Sequence, residues 1–464
     1  MNDENKLKHK QFIKIIIGII IVVALIICFA ITYNNTKSTK NATNTTESIT
    51  ETKNTNSNVS SNTADDKNLT ITAGGNYDLS GSYESITINT NKDVELNLNG
   101  VEIACTNGPA INVISAETVT IVLSGTNKIT ATTTEDLDGA IYSKADLVFS
   151  GEGSLEVKSN YDGIVSKDTL VIKNGKYIIN SEDDGIRGKD NVEISDGTFT
   201  INAGGDGIKS TNDEDTSLGY VNIAGGTYNI TSYNDGIQAE TEATIKGGNF
   251  TIKTTDTSSS DSAKGIKAGT LISITGGTFN INSIDDGVHC NGNISIDDGE
   301  ITITSKDDGI HADGLIEING GTFNIAAAEG IESTYVKIND GNINISASDD
   351  GINAGNKSSN YSATLEINGG NITIKMGQGD TDGIDSNGNI YINGGTIDIT
   401  GNSPFDYDGT ATYNGGTIIV NGTQTNTITN QMMGGGMQGG MQQQMGPDGN
   451  MQNSNGKQGG QGRR

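Results

Sequence analysis

The chain has 464 residues, a formal net charge of −28, 63 glycines, 3 prolines, no tryptophan and 5% aromatic residues. So much glycine excludes a helical globular protein, and the acidic balance excludes a nucleic-acid binder, whose phosphates require Lys and Arg. The same charge favours cations, or a partner reached through cations.

In chain order, the first element is the apolar run from Ile15 to Ile31, preceded by Lys6, Lys8, Lys10 and Lys14. It is long for a signal-peptide core and at the lower edge for a membrane span, and no small-x-small cleavage pattern follows closely. Residues 1–33 therefore read as a basic cytoplasmic tip and an uncleaved single-pass transmembrane helix, with the bulk of the chain outside the cell membrane. A cleaved signal is the alternative. Residues 34–68 are Asn, Thr and Ser with almost no large apolar residue, a composition that cannot offset its ordering entropy and predicts a disordered linker. Residues 431–464 form a second low-complexity segment, rich in Gly, Gln and Met.

Between them, residues 69–430 repeat. "SKDDGIHADG" at 305–314 has relatives in "SEDDGIRGKD", "SIDDGVHCNG" and "SASDDGINAG". The apolar residue after the motif glycine recurs at Ile164, Ile186, Ile208, Ile237, Ile266, Val288, Ile310, Ile331, Ile352 and Ile384. The basic step is 21 or 22 residues, and longer steps are insertions. A unit reads as three short strands, "DGIHA", "LIEINGG" and "TFNIAA", with apolar–polar alternation and a glycine at the corners. Three strands per turn with three corners predicts an all-β parallel β-helix, each strand pairing with its equivalent one coil away at about 4.8 Å. Stacking should place Phe199, Tyr228, Phe250, Phe279 and Phe323 in one inward column. Residues 69–160 carry a looser repeat, read as the first coils and a cap. Cys105 and Cys290 lie too many coils apart for a disulfide and fall at inward positions.

On this fold the residues before the motif glycine become a ladder of carboxylates along one corner. Unit charges about 4.8 Å apart repel by about 3.5 kcal/mol at an effective dielectric of about 20. Asp-Gly is good turn chemistry, which accounts for single aspartates; the doubled ones point to a divalent cation, because calcium takes carboxylate oxygens from neighbouring coils. One calcium site is expected around Asp183, Asp184, Asp206 and Asp235, another around Asp285, Asp286, Asp307 and Asp308, and a third around Asp349, Asp350 and Asp382. The pattern lapses at Ala263-Lys264, where the lysine reads as a fixed counter-charge, and weakens at Ala328-Glu329.

The chain resembles the bacterial cell-surface polysaccharide-binding proteins with a calcium-bound, pectate-lyase-like right-handed β-helix. The cap "GGNYDLSGSYESITINTNKDVELNLNGVEI", the "DDGI" repeats and the "INGGTF" corners carry the resemblance. It implies right-handed coils and binding to plant cell-wall polymers such as cellulose or polygalacturonate, without an established lyase activity.

The residue two after the glycine is expected to point outward beside the ladder. Arg187 and Lys209 are candidate contacts for an anionic polymer, with Tyr161 and Tyr233 as candidate stacking residues at the same corner. A calcium-dependent polysaccharide lyase is the second reading, with Arg187, Lys209 or Lys267 as the base beside the metal; balance of neighbouring carboxylates is the plainer role for these cations. A structural surface rod or adhesin is the third. His289 and His311 should stack one coil apart. The sequence thus predicts a monomeric, non-catalytic, calcium-binding polysaccharide-binding protein.

Overall fold

The computed structural model describes residues 67–257, 263–378 and 381–430. The candidate anchor, the linker up to residue 66 and the Gly/Gln/Met-rich segment lie outside the described residues. Among the described residues no helix is long and apolar enough to cross a membrane.

The described strands form one all-β structure with a long sheet that is parallel-dominated, as a β-helix requires. One coil consists of Ile186–Gly188, Asn191–Ile194 and Thr198–Ala203. Each pairs in parallel with the equivalent strand of the next coil, Ile208–Ser210, Tyr220–Ile223 and Thr227–Ser232. Alternation drives this arrangement: in Thr198–Ala203, Phe199 and Ile201 are buried while Thr198 and Asn202 are exposed. Period-2 side chains give each strand one face for the core and one for water. Among the regular repeats two coils depart from the three-strand expectation. Ile310–Ile318 and Ile331–Ile338 each run through the first corner as a single strand.

The corners explain the glycines in two ways. At the "GGT" corner Gly226 has φ 111°, which a side chain would oppose. At the Asp-Gly corner the reason is contact. A Cβ on Gly236 would lie 2.3 Å from Ile252 Cγ2 and 2.6 Å from the carbonyl oxygen of Gly265 in the next coil. Gly236→Ala is therefore expected to cost about 1–3 kcal/mol by overpacking. Urea denaturation checks this, and an unchanged midpoint would show slack at the corner.

The aromatic column differs from the expectation at both ends. Tyr177, Phe199, Tyr228, Phe250 and Phe279 stack nearly parallel, with centroids 5.0, 4.8, 4.6 and 4.8 Å apart in turn. Tyr177 extends the column, because its buried hydroxyl donates to the Asn174 carbonyl at 2.8 Å. Phe323 stands apart, since the register places Ile301 between Phe279 and Phe323. Both described cysteines are buried and free. At the C-terminal end Thr417–Val420 turns back on Thr423–Thr425, the one antiparallel strand pair among the described residues. Asn421 and Gly422 both have positive φ, as a two-residue hairpin turn of this hand requires.

Candidate functional site

The aspartates before the motif glycine stack along one corner, and each has two jobs. One oxygen accepts a backbone N–H from the next coil. Asp162 Oδ1 takes that of Asp184 at 2.9 Å, Asp184 that of Asp206 at 2.8 Å, and Asp206 that of Asp235 at 2.8 Å. Asp235 Oδ1 takes the N–H of Lys264 at 2.8 Å, so the backbone chain continues through the coil where the acidic pattern lapses. Asp286 serves Asp308, and Asp350 serves Asp382, both at 3.1 Å. These carboxylates therefore satisfy amides that a buried corner would otherwise strand.

From Asp162 to Asp308 the other oxygen meets a cation or a histidine nitrogen. The residues two after the glycine form their own in-register column, Arg187, Lys209, Gln238, Lys267, His289, His311, Glu332, Asn353 and Asp385. Its basic members lie over the carboxylates, partly exposed, in the balancing role that is the plainer reading of them. Arg187 reaches Asp138 and, at 2.5 Å, Asp162. Lys209 Nζ lies 2.6 Å from Asp206 and 3.5 Å from Asp184, and Lys267 Nζ 3.5 Å from Asp235. The Lys264 ammonium lies 2.5 Å from Asp285 and 3.1 Å from Asp286, the counter-charge expected of it. His289 Nδ1 is 2.7 Å from Asp286, and His311 Nδ1 2.6 Å from Asp308. Beyond His311 the column turns acidic, with Glu332 held by Lys357 at 2.8 Å.

Burial and pairing compete along the column. Burial pushes Asp162 up to about 8, although Arg187 opposes it. The Arg187 guanidinium is itself raised, because its partners Asp162 and Asp138 outweigh its own burial. These two shifts disagree about the Arg187–Asp162 pair. One guanidinium shared between two carboxylates resolves it, because Asp162 Oδ2 is close to the charge yet accepts no aligned hydrogen bond. Burial likewise lifts Asp184, Asp235 and Asp308 to about 6. Burial would lift Asp286 too, but the hydrogen bond from His289 and the charge of Lys264 hold it at about 2. At the acidic end burial takes Glu329 to about 8, Asp350 to about 7 and Asp385 to about 6, with neighbouring carboxylates adding to each shift.

The predicted calcium residues are brought together in part. Asp162, Asp183 and Asp184 offer ligand oxygens within 4.8 Å of one another, as do Asp285, Asp286 and Asp307. Asp206 and Asp235 lie further along the column, with Lys209 and Lys267 against them. The first cluster is an all-carboxylate set of the kind calcium takes, with Asp162 Oδ2 buried and without an aligned hydrogen bond, though an ion there shares it with Arg187 at 2.5 Å. The second fits less well, because the Lys264 ammonium contacts two of its carboxylates, at 2.5 and 3.1 Å. The carboxylates of Asp385, Asp349 and Asp382 raise Asp350 further beyond its burial, and this group suits a cation by its charge. Tyr161 is half-buried and Tyr233 is exposed at 44%, both just before the ladder.

Several residues of this corner escaped the sequence reading. Asp138 belongs to "LDGAI", whose Asp-Gly is one residue out of step, since Gly139 pairs with Asp162. Lys357 comes from the insertion at 355–362, and no periodicity announces it.

Fold and site together define an all-β repeat protein of stacked parallel strands with one continuous ionic corner. A family model described as carbohydrate-binding domain-containing protein matches residues 65–309 and 304–444, and the chain belongs to this family. A solved structure described as the polysaccharide lyase-like protein from C. thermocellum, a gadolinium derivative, is similar at 30% identity with a TM-score of 0.38. That match covers 46% of this chain and 87% of the other. The comparison with curated proteins gives no match.

Proposed function

We propose that the protein is a calcium-binding, non-catalytic polysaccharide-binding protein on right-handed coils, monomeric and held at the cell surface by the apolar run at 15–31. Its polymer is an anionic plant cell-wall type, polygalacturonate rather than neutral cellulose. The observation that carries the reading is the all-carboxylate cluster Asp162–Asp183–Asp184, whose ligand oxygens lie within 4.8 Å of one another and whose buried Asp162 Oδ2 accepts no aligned hydrogen bond although Arg187 lies 2.5 Å away. Asp162, Asp183 and Asp184 would hold one ion, and Asp349, Asp350 and Asp382 are the further candidates. A bound calcium supplies positive charge and open coordination positions to a uronate that the bare corner repels. Asp285, Asp286, Asp307 and Asp308 are weaker candidates for calcium, with Lys264 and histidine nitrogens among them.

Arg187 and Lys209 serve this function by balancing the ladder, and only their remaining exposed edges face a polymer. The same pairing speaks against the lyase reading. A base must be neutral to take a proton, whereas both cations are raised above their ordinary values by the aspartates around them.

The test is a pull-down on polygalacturonate and cellulose, with and without chelator and across salt. Calcium-dependent, salt-sensitive retention on polygalacturonate is expected, weaker by about tenfold or more in Asp183→Asn, which removes one charged ligand. Retention on cellulose alone, indifferent to chelator, would overturn the reading. A rise in ultraviolet absorbance from unsaturated uronate would restore the lyase.

A further inference from the structure

We propose that His289 and His311, with Asp286, Asp308 and Glu332, form a binding site for a divalent transition-metal ion of the zinc class. The proposal does not rest on the calcium reading, whose leading site is at Asp162, Asp183 and Asp184; it takes Asp286 and Asp308 as ligands of a different metal.

The histidines pair in register one coil apart, and their rings stack with centroids 4.8 Å apart. His289 Nδ1 faces Asp286 Oδ2 at 2.7 Å. His311 Nδ1 faces both Asp308 Oδ2 at 2.6 Å and Glu332 Oε2 at 3.1 Å. Asp286, His289 and His311 offer ligand atoms within 4.8 Å of one another, and so do Asp308, His311 and Glu332. His311 belongs to both sets, so either can share it in holding a single ion.

The outer nitrogens are also engaged. His289 Nε2 lies 2.9 Å from Asn291 Oδ1, and His311 Nε2 lies 3.6 Å from Asp313 Oδ1. His289 thus has an oxygen acceptor at hydrogen-bond distance on both nitrogens, and His311 has two carboxylates at Nδ1. The Asn291 contact suits the Nε2–H tautomer of His289, which leaves Nδ1 free to ligate a metal ion. The remaining contacts favour the set around His311. Lys357 occupies Glu332 Oε1 at 2.8 Å and leaves Oε2, whereas Asp286 takes the Asp308 N–H on Oδ1 and lies 3.1 Å from Lys264 Nζ through Oδ2.

The donor set selects the metal. Imidazole nitrogen with carboxylate suits zinc and its first-row neighbours, whereas calcium takes oxygen alone. The carboxylate side chains are nearly buried and the rings are only 13–14% exposed, so few water ligands fit.

The experiment uses the full chain, zinc stoichiometry by equilibrium dialysis, and Co2+ as a visible-absorbing probe. About one zinc per chain is expected, with nitrogen-ligated Co2+ absorption that zinc displaces and excess calcium does not. His311→Ala should weaken zinc by about 10- to 100-fold, and His289→Ala should weaken it too. His9→Ala should bind zinc as the parent does. Circular dichroism of each variant separates loss of the site from loss of fold, and nitrogen ligation of Co2+ in the parent tests the site without any substitution. No zinc binding by the parent, or equal binding by both folded histidine variants, would overturn the proposal.

Discussion

Phe250→Ala is expected to lower stability by about 3–5 kcal/mol, the range for emptying a buried aromatic site. Phe250 sits mid-column, 4.6 Å from Tyr228 and 4.8 Å from Phe279, and is 2% exposed. The neighbours cannot close the gap. The strand carrying Phe250, Asn249–Thr254, is hydrogen-bonded in register to both adjacent coils, so the ladder holds the coils apart whatever fills them. The cavity survives, and with it the lost dispersion contacts. Phe323→Ala should cost less, because Phe323 is flanked by Ile301 and Ile343 and has no ring to stack on. Tyr233→Ala, on the surface, should change stability by about 0.5 kcal/mol or less. Guanidinium denaturation of the three variants orders them. A Phe250→Ala value equal to that of Tyr233→Ala would mean the coils do collapse.

Without divalent cations, stability should peak in mildly acidic solution, between about pH 4 and 6, and fall as pH rises to 8. The sign follows from the carboxylates. Asp162 and Glu329 are raised to about 8, Asp350 to about 7, and Asp184, Asp235, Asp308 and Asp385 to about 6, in each case chiefly by burial. A group whose folded pKa lies above its unfolded value binds protons more tightly when folded. Its contribution is complete below the unfolded pKa and disappears as pH rises through the folded one. His311, raised to about 10 by Asp308 and Glu332 against its burial, acts in the same sense from pH 6.5 upward. Asp286 and Glu332 act in the opposite sense. Held at about 2 by their basic partners against burial, they lose their contribution as pH falls below about 4. Calcium should flatten the neutral limb, since an ion replaces the protons that Asp162 and Asp184 otherwise retain. Thermal melts from pH 4 to 9, with calcium or chelator, measure this. Stability rising steadily to pH 8 in chelator would show the corner compensated by its own cations.

How far the sequence could be read follows from what each level of structure depends on. The step between motif isoleucines revealed the coil because strand alternation and corner glycines are local properties. Once parallel pairing is granted, equal spacing in sequence becomes equal height along the stack. Ile186, Ile208 and Ile237 were thus legible as inward residues, and Asp184, Asp206 and Asp235 as one corner. The column of rings was legible only where the step is regular. Ile301 interrupts it because register assigns one residue per coil to each height, and that residue is not aromatic.

The site was less legible, since a side chain's direction at a corner depends on what lies above and below it. By itself the sequence determined the repeat, the acidic corner and the alternation of cations beside it. Only the tertiary structure decided that Arg187 and Lys209 lie over Asp162 and Asp206. A charge beside a buried carboxylate gains more from that neighbour than from water; for Arg187 that neighbour is a coil away in sequence, whereas Lys209 meets Asp206 three residues before it and Asp184 a coil away. Tertiary structure likewise brought Asp138 to Arg187 and Lys357 to Glu332, pairs separated by an out-of-step motif and an insertion. It also set His311 between Asp308 and Glu332, because only stacking makes neighbours of successive coils.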